Sequence, residues 1–243
     1  MNVLVINGSP KGEKSNTMNL TRAFLEGTSY DNVETVDVSK LNINYCLGCF
    51  GCWGHTPGKC VILNDDMPQM LEKLIQADVV IWSFPLYYFK VPGPLKTFID
   101  RQLPLALPEM DESAEHGDHP NRYDFSKQRH MLISTCGFWT HEGNYKSIVE
   151  MFNRNYGENG FGMLFAGQGN LFNLPNIPEA PELLGAEMFG QLKRLVDDYM
   201  DIVRRLGKEW AEGDVKDETS KLLARPIMSK EDYESAANSQ WGG

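Results

Sequence analysis

The sequence contains no apolar run that approaches the roughly 20 residues a membrane-spanning helix needs. No basic, apolar leader precedes the first predicted strand, so we expect a cytoplasmic protein. Basic side chains are also scarce, with 23 Lys and Arg against 33 Asp and Glu and a net charge of -10. Because this charge repels a phosphate backbone, nucleic acid is not an expected partner.

Two common nucleotide-binding motifs are missing as well. The N-terminal loop has neither the Gly-x-x-x-x-Gly-Lys-Ser/Thr pattern of a P-loop nor the Gly-x-Gly-x-x-Gly pattern of a dinucleotide fold. No internal repeat, low-complexity segment or heptad array is present. With 243 residues, 42% of them hydrophobic, the chain has the composition of one compact globular domain with appended segments.

The first 17 residues predict a strand, a phosphate-binding loop and the start of a helix. The apolar run 3–6 predicts a buried strand, which Gly8 and Pro10 end, and Ser15, Asn16 and Thr17 are residue types that begin helices. The positive end of a helix dipole, framed by hydroxyls, suits a phosphate monoester. A nucleotide or flavin phosphate is therefore the first hypothesis; the alternative is an ordinary turn whose Ser and Thr only cap the helix.

Apolar runs alternate with amphipathic stretches along the rest of the chain, which is typical of a parallel sheet covered on both faces. The predicted strands are Val3–Ile6, Val33–Val38, Val79–Phe84, Met131–Thr135 and Gly162–Gly167. The predicted helices are Asn16–Gly27, Met67–Ala77, Pro92–Leu103, Tyr145–Asn155 and Leu183–Trp210. These units predict a doubly wound α/β sheet of five strands, whose ligand site is expected at the carboxyl ends of the strands.

Two further strand-end loops suit a flat ligand. The loop after the third strand carries Tyr87, Tyr88 and Phe89 among prolines and a glycine, which favours ring contact over simple burial. The loop after the fourth strand, residues 134–139, contains the small-residue turn Thr135-Cys136-Gly137, where backbone amides can approach a ligand closely.

Together these motifs resemble the flavodoxin-like NAD(P)H-dependent FMN reductases, a family that includes flavin reductases, quinone reductases and iron-sulfur flavoproteins. The matching pieces are Asn7-Gly-Ser-Pro10 with Ser15-Asn16-Thr17, Pro85-Leu-Tyr-Tyr88, Leu95-Lys-Thr-Phe-Ile-Asp-Arg101 and Ser134-Thr-Cys-Gly137. The resemblance implies a sheet in the order 2-1-3-4-5 with helices on both faces. It also implies a homodimer or higher oligomer, because an isolated domain of the family exposes much of its flavin edge.

Carried over residue by residue, the resemblance implies the position of FMN. The phosphate would lie on Ser9, Ser15, Asn16 and Thr17, with Lys11 as a nearby cation. The isoalloxazine ring would lie against Pro85, Leu86, Tyr87 and Tyr88. Its edge would be bordered by Thr135, Cys136 and Gly137, whose N–H groups can stabilise negative charge on reduced flavin.

The chemistry implied is hydride transfer from NAD(P)H through the flavin to a small acceptor such as a quinone or free flavin. The cofactor carries that reaction, so no catalytic residue is named. The choice between NADH and NADPH stays open, with Lys11, Lys90 and Arg101 as candidates for contacting a 2′-phosphate.

Four of the five cysteines lie within fifteen positions, at Cys46, Cys49, Cys52 and Cys60. This clustering is typical of iron-sulfur ligands and resembles the compact motif of iron-sulfur flavoproteins, although the gap to Cys60 is long. Zinc held by four cysteines, or by three and His55, is an alternative, and cysteines that bind no metal are another. A 4Fe-4S cluster would relay single electrons to a protein partner, whereas spare cysteines favour two-electron reduction of a small molecule.

Two segments lie outside the regular pattern. We expect residues 1–210 to form the FMN-binding domain, interrupted by a polar, acidic loop at 104–128 that is a lid, an arm to another subunit or a solvated insertion. Residues 211–243 form a C-terminal extension in which Ser229 starts a capped helix. The leading function is an FMN-dependent oxidoreductase; the alternatives are an iron-sulfur flavoprotein and a non-catalytic flavin-binding module.

Overall fold

The protein is built on one parallel sheet, seen here in a computed structural model that describes residues 1–112, 114, 117–157 and 160–241. Its strands are β1 (Val3–Asn7), β2 (Val33–Asp37), β3 (Val79–Pro85), β4 (Arg129–Thr135) and β5 (Phe161–Ala166). They are hydrogen-bonded in the order β2-β1-β3-β4-β5, and every pair is parallel. The predicted fold class and strand order are confirmed.

Helices cover both faces of the sheet. They are α1 (Asn16–Thr28), α2 (Met67–Gln76), α3 (Gly93–Asp100), α4 (Lys146–Tyr156), α5 (Ala180–Leu184), α6 (Ala186–Glu212), α7 (Asp217–Leu223) and α8 (Lys230–Trp241). Side chains of β1 alternate between two cores, because successive residues of a strand point to opposite faces. Leu4 and Ile6 pack with α2, α3 and α4, whereas Val3 and Val5 pack with α1 and α6.

Helices α1 and α6 approach each other closely through two glycines. A Cβ added to Gly27 would lie 1.9 Å from the carbonyl oxygen of Arg204, and one added to Gly207 would lie 2.0 Å from that of Phe24. Neither position tolerates a side chain without movement of the helices. This contact holds the C-terminal half of the chain against the helix that follows the predicted phosphate loop.

Two predicted helices differ from those observed. The predicted helix Leu183–Trp210 is two helices, α5 and α6, which are separated by Gly185 at φ 79°. That backbone conformation lies outside the helical region and is one that glycine adopts readily. The predicted helix Pro92–Leu103 is shorter, because α3 ends at Asp100 and a separate 3-10 turn covers Leu103–Leu105.

The C-terminal extension packs on the sheet domain. In the C-terminal extension, the Tyr199 hydroxyl of α6 donates to the carbonyl of Leu223 at 3.0 Å. Residues 113, 115 and 116 of the loop 104–128, and residues 242 and 243 of the extension, lie outside the described residues. The division of the chain at residue 210 stays a prediction. Within the described part of the chain, no helix is long and apolar enough to cross a membrane.

Candidate functional site

The start of α1 has the local geometry of an anion site. Ser15 caps the helix, since its hydroxyl accepts a hydrogen bond from the backbone N–H of Met18 at 3.1 Å. The N–H groups of Asn16 and Thr17 precede that of Met18 and belong to the first turn, where a helix offers no internal acceptor. Ser9 and Ser15 are buried, so their hydroxyls are shielded from bulk water. These groups can converge on a phosphate.

Strand-end side chains hold the loop before α1 in shape. The Asn7 side chain accepts from the N–H of Ser9 at 3.1 Å and donates to the Asp37 carboxylate at 2.6 Å. The Ser9 hydroxyl in turn accepts from the N–H of Lys11 at 3.3 Å, and Lys11 itself is exposed at the loop surface. The loop is therefore anchored to both β1 and β2 before any ligand binds.

Three strand-end loops meet at this edge of the sheet. The hydroxyls of Thr17 and Thr135 lie 2.6 Å apart, which joins the start of α1 to the end of β4. The N–H of Leu86 donates to the carbonyl of Thr135 at 2.8 Å, which joins the end of β3 to the same point. The predicted phosphate and ring-edge residues are therefore brought together by one residue, Thr135.

The aromatic loop after β3 forms a tight, strained turn. The backbones of Tyr87 and Lys90 exchange hydrogen bonds of 3.0 and 2.9 Å, and the two residues between them, Tyr88 and Phe89, have φ of 49° and 62°. Positive φ at both central positions defines a type I′ turn, which Asn and Gly favour and bulky residues do not. Tyr88 is 97% exposed, so its ring is not held there by core packing.

Small residues after β4 leave the third loop open. Thr135 and Cys136 are buried, and burial raises the pKa of the Cys136 thiol, which keeps it protonated. A Cβ added to Gly137 would meet no atom within 4 Å, so a flat ligand can approach its backbone. Phe138 stacks on Phe89 with ring centroids 5.6 Å apart, which connects this loop to the aromatic turn.

The C-terminal extension reaches this edge of the sheet. The hydroxyl of Tyr233, a buried residue of α8, lies 2.9 Å from the carbonyl oxygen of Gly137 and can donate to it. The side-chain amide of Gln168 exchanges hydrogen bonds of 2.9 Å with the backbone of Met228. Sequence reasoning missed Tyr233, whose only local signal was the cap at Ser229.

The four clustered cysteines lie on the segment between β2 and α2. Cys46, Cys49, Cys52 and Cys60 line one pocket, and all are free thiols. Burial raises the pKa of Cys52, and Cys60, Cys46 and Cys49 raise it further, so the four thiols interact electrostatically. Gly48 and Phe50 have φ of 61° and 53° between these cysteines. Left-handed residues in such loops expose N–H groups toward bound anions, as in many iron-sulfur sites.

The four thiols of the pocket are a donor set that both metal hypotheses could use. Among the described residues, no three His, Cys, Asp or Glu side chains are grouped closely enough to hold a single ion. Cysteine thiolates bind both zinc and the irons of a 4Fe-4S cluster. His55 is exposed and does not line the pocket. The donor set fits a 4Fe-4S cluster, and zinc stays an alternative.

Arg101 is a component of the cysteine pocket and not a candidate for nucleotide binding. Its side chain is 1% exposed and pairs with Asp65, with Nη1 and Oδ2 2.6 Å apart. Burial acts to raise the pKa of Asp65, but hydrogen bonds from Arg101 and from the N–H groups of Asn44 and Met67 hold it below its usual value. Among the three candidates for a 2′-phosphate contact, Lys11 and Lys90 remain exposed.

The fold defines an open α/β protein, a class in which ligands bind at the carboxyl ends of the parallel strands. The model of a family described as having a flavodoxin-like fold matches residues 1–154. The chain therefore belongs to this flavodoxin-like family.

Relatives in the sequence comparison match less than half of this chain. An iron-sulfur flavoprotein from Archaeoglobus fulgidus is 39% identical over 106 residues, which cover 43% of this chain and 46% of that protein. An FMN-dependent NADH:quinone oxidoreductase from Pseudoalteromonas atlantica is 31% identical over 115 residues, which cover 41% of this chain and 54% of that protein. The chain thus spans about half the length of the curated relatives it matches.

Among solved structures, an FMN-dependent NADH-azoreductase from Bacillus anthracis in complex with FMN superimposes with a TM-score of 0.55. The superposition covers 87% of this chain and 100% of the azoreductase at 18% sequence identity. At that identity the likeness establishes the fold alone.

Proposed function

We propose that the protein is an FMN-dependent NAD(P)H oxidoreductase that reduces a small electron acceptor. The observation that carries the proposal is the meeting of three loops at Thr135, which joins a phosphate-type helix start to an aromatic turn. The similarity to an NADH:quinone oxidoreductase and to the fold of an azoreductase is consistent with it. Bound FMN would accept a hydride from NAD(P)H and pass electrons to an acceptor such as a quinone or free flavin.

Different residues at this edge would bind different parts of FMN. Ser9, Ser15 and the first N–H groups of α1 would hold the phosphate, with Lys11 adding positive charge from the surface. Pro85, Leu86, Tyr87 and Tyr88 would contact the ring, and the exposure of both tyrosines leaves them available for it. The backbone at Thr135, Cys136 and Gly137 would stabilise negative charge at the ring edge.

A comparison of FMN with riboflavin tests this assignment directly. If the helix start holds the phosphate, FMN binds at least about 100-fold more tightly than riboflavin, because several charge-assisted hydrogen bonds are lost with the phosphate. Equal affinities, measured by fluorescence quenching of each flavin, would contradict the assignment. Oxidation of NADH or NADPH with a quinone acceptor then separates an oxidoreductase from a non-catalytic flavin-binding module.

A second function is favoured by the cysteine pocket. We propose that its four thiols hold a 4Fe-4S cluster and that the protein exchanges single electrons with another protein. The shared pocket and free state of the thiols support this proposal, as does the name of the iron-sulfur flavoprotein relative. The cluster would supply one-electron chemistry next to the two-electron chemistry of the flavin.

Iron and sulfide contents measured after anaerobic purification and reconstitution test the second function. We expect about four irons per chain, because one 4Fe-4S cluster contains four iron atoms. The substitution Cys49→Ser should abolish cluster binding, whereas Cys136→Ala, which changes a free cysteine outside the pocket, should leave the iron content unchanged. If the reconstituted wild type binds flavin but no iron, the second function is contradicted and only the FMN-dependent oxidoreductase is supported.

A further inference from the structure

Arg101 is a buried residue that lines the cysteine pocket. Its guanidinium is fully buried and makes a two-pronged contact with Asp65, with Nη1–Oδ2 and Nη2–Oδ1 distances of 2.6 and 3.2 Å. The Asp65 side chain is itself 0% exposed and also accepts from the N–H of Asn44 at 3.1 Å. A buried charge pair of this kind has to be fully hydrogen-bonded to be tolerated.

The same guanidinium joins the two ends of the cysteine segment. Nη1 donates to the carbonyl of Asn44 at 2.6 Å, and Nη2 donates to that of Ile62 at 3.4 Å. Asn44 precedes Cys46 by two residues, and Ile62 follows Cys60 by two. One side chain from the end of α3 therefore closes the segment that carries the four thiols.

One of the five N–H donors of Arg101 makes no hydrogen bond of ordinary geometry among the described residues. A guanidinium has five N–H groups, and the four on Nη1 and Nη2 have the four acceptors named above. The fifth, on Nε, is buried and has no hydrogen-bond partner of ordinary geometry among the described residues, although the guanidinium interacts with the Cys60 thiol. Arg101 lines the same pocket as Cys46, Cys49, Cys52 and Cys60. A buried, charged donor is normally satisfied by an acceptor, and a ligand bound in the pocket would supply one.

We propose that Arg101 is a positioning residue for the cluster: it holds the ends of the cysteine segment together and donates its Nε–H to a sulfur of the bound cluster. This inference rests on the second proposed function. A positive charge and an N–H···S hydrogen bond both stabilise the more negative, reduced cluster. Loss of Arg101 should therefore weaken cluster retention and lower the reduction potential of the cluster.

The test compares reconstituted wild type with Arg101→Lys, Arg101→Gln and the matched control Arg122→Lys. Arg122 also donates to backbone carbonyls, those of Pro104 and Ala106, but does not line the pocket. We expect the Arg101 variants to lose iron about tenfold more readily to a chelator, as is usual when an outer partner of a metal ligand is removed. Arg101→Lys retains the charge and should keep a higher potential than Arg101→Gln, with FMN content unchanged in all.

A spectroscopic measurement covers the case in which the Arg101 variants do not fold. Pulsed EPR of the reduced wild-type cluster, in protein labelled with guanidino-¹⁵N arginine, should detect a weakly coupled ¹⁵N that persists in Arg122→Lys. Absence of that coupling, or equal iron retention and potential in wild type and folded Arg101 variants, would overturn the inference. Wild type that binds no iron would instead overturn the cluster proposal on which it rests.

Discussion

Ser15 and Ser229 cap two helices in the same way but at different places in the molecule. Each hydroxyl accepts a hydrogen bond of 3.1 Å from the backbone N–H three residues further on. Only Ser15 lies at the predicted phosphate site, whereas Ser229 begins α8 on the surface. Substituting each serine in turn distinguishes capping from ligand binding, because both serines stabilise a helix but only Ser15 lies at the predicted phosphate site.

We expect Ser15→Ala and Ser229→Ala each to lower the free energy of unfolding by about 1 kcal/mol, the usual cost of a lost cap. Only Ser15→Ala should also weaken FMN binding, by about tenfold, which corresponds to about 1.4 kcal/mol. Urea denaturation and flavin titration measure the two effects. An equal loss of FMN affinity in Ser229→Ala would refute a specific role for Ser15.

Residue-level patterns predicted some site residues and not others. The hydroxyls near α1 follow from capping preferences, which depend on neighbours within a few positions. The role of Arg101 depends on Asp65, which is 36 residues away, so that no local pattern indicates it.

The turn between Tyr87 and Lys90 combines strain with exposure. Tyr88 holds a left-handed conformation at φ 49° although its ring is almost fully exposed. Left-handed backbone costs roughly 1–2 kcal/mol in residues other than Gly, Asn and Asp. Strain that packing does not explain is typical of ligand-binding segments.

Replacing Tyr88 with Asn, which tolerates this conformation, should raise the free energy of unfolding by about 0.5–1 kcal/mol. The same change should weaken flavin binding, because the ring contact is lost. Tyr45→Asn is the matched control, since Tyr45 is 74% exposed and does not have positive φ. A stability gain in both variants, measured by denaturation, would argue against relief of strain.

At the scale of elements, periodicity predicted the five strands and the helices α1, α2 and α4 to within two residues at each end, whereas α3 and α6 differ by more and α7 was not predicted. The break between α5 and α6 was missed because Gly185 lies inside a continuous helical pattern, and a single glycine is tolerated within helices. The alternation of strands and helices was the stronger signal, and it identified the fold.

The stability of the whole molecule should respond to the protonation of a core histidine. His130 on β4 is 6% exposed, and its Nδ1 accepts a hydrogen bond from the Trp82 indole at 3.2 Å. Burial lowers the pKa of His130 from 6.5 to about 4. Between these two pH values the unfolded chain binds a proton that the folded protein does not, so stability falls as pH falls through this window.

We expect the free energy of unfolding to drop by about 2 kcal/mol more in wild type than in His130→Gln between pH 7 and pH 5. Glutamine retains an acceptor for Trp82 but does not titrate, which makes it the reference for all other groups. The same pH dependence in both proteins, measured by urea denaturation at each pH, would exclude His130 as the source.

Local patterns in the sequence were enough to predict the five-stranded α/β fold, the helix start at Ser15, the aromatic loop and the clustering of four cysteines. Each is indicated by a pattern among residues close in the chain, namely periodicity, helix capping or residue spacing. The tertiary structure alone decided that Thr17 meets Thr135, 118 residues away, and that Tyr233 reaches Gly137 across 96 residues. Such buried polar contacts depend on how the elements pack, because desolvated donors must find acceptors wherever the fold places them.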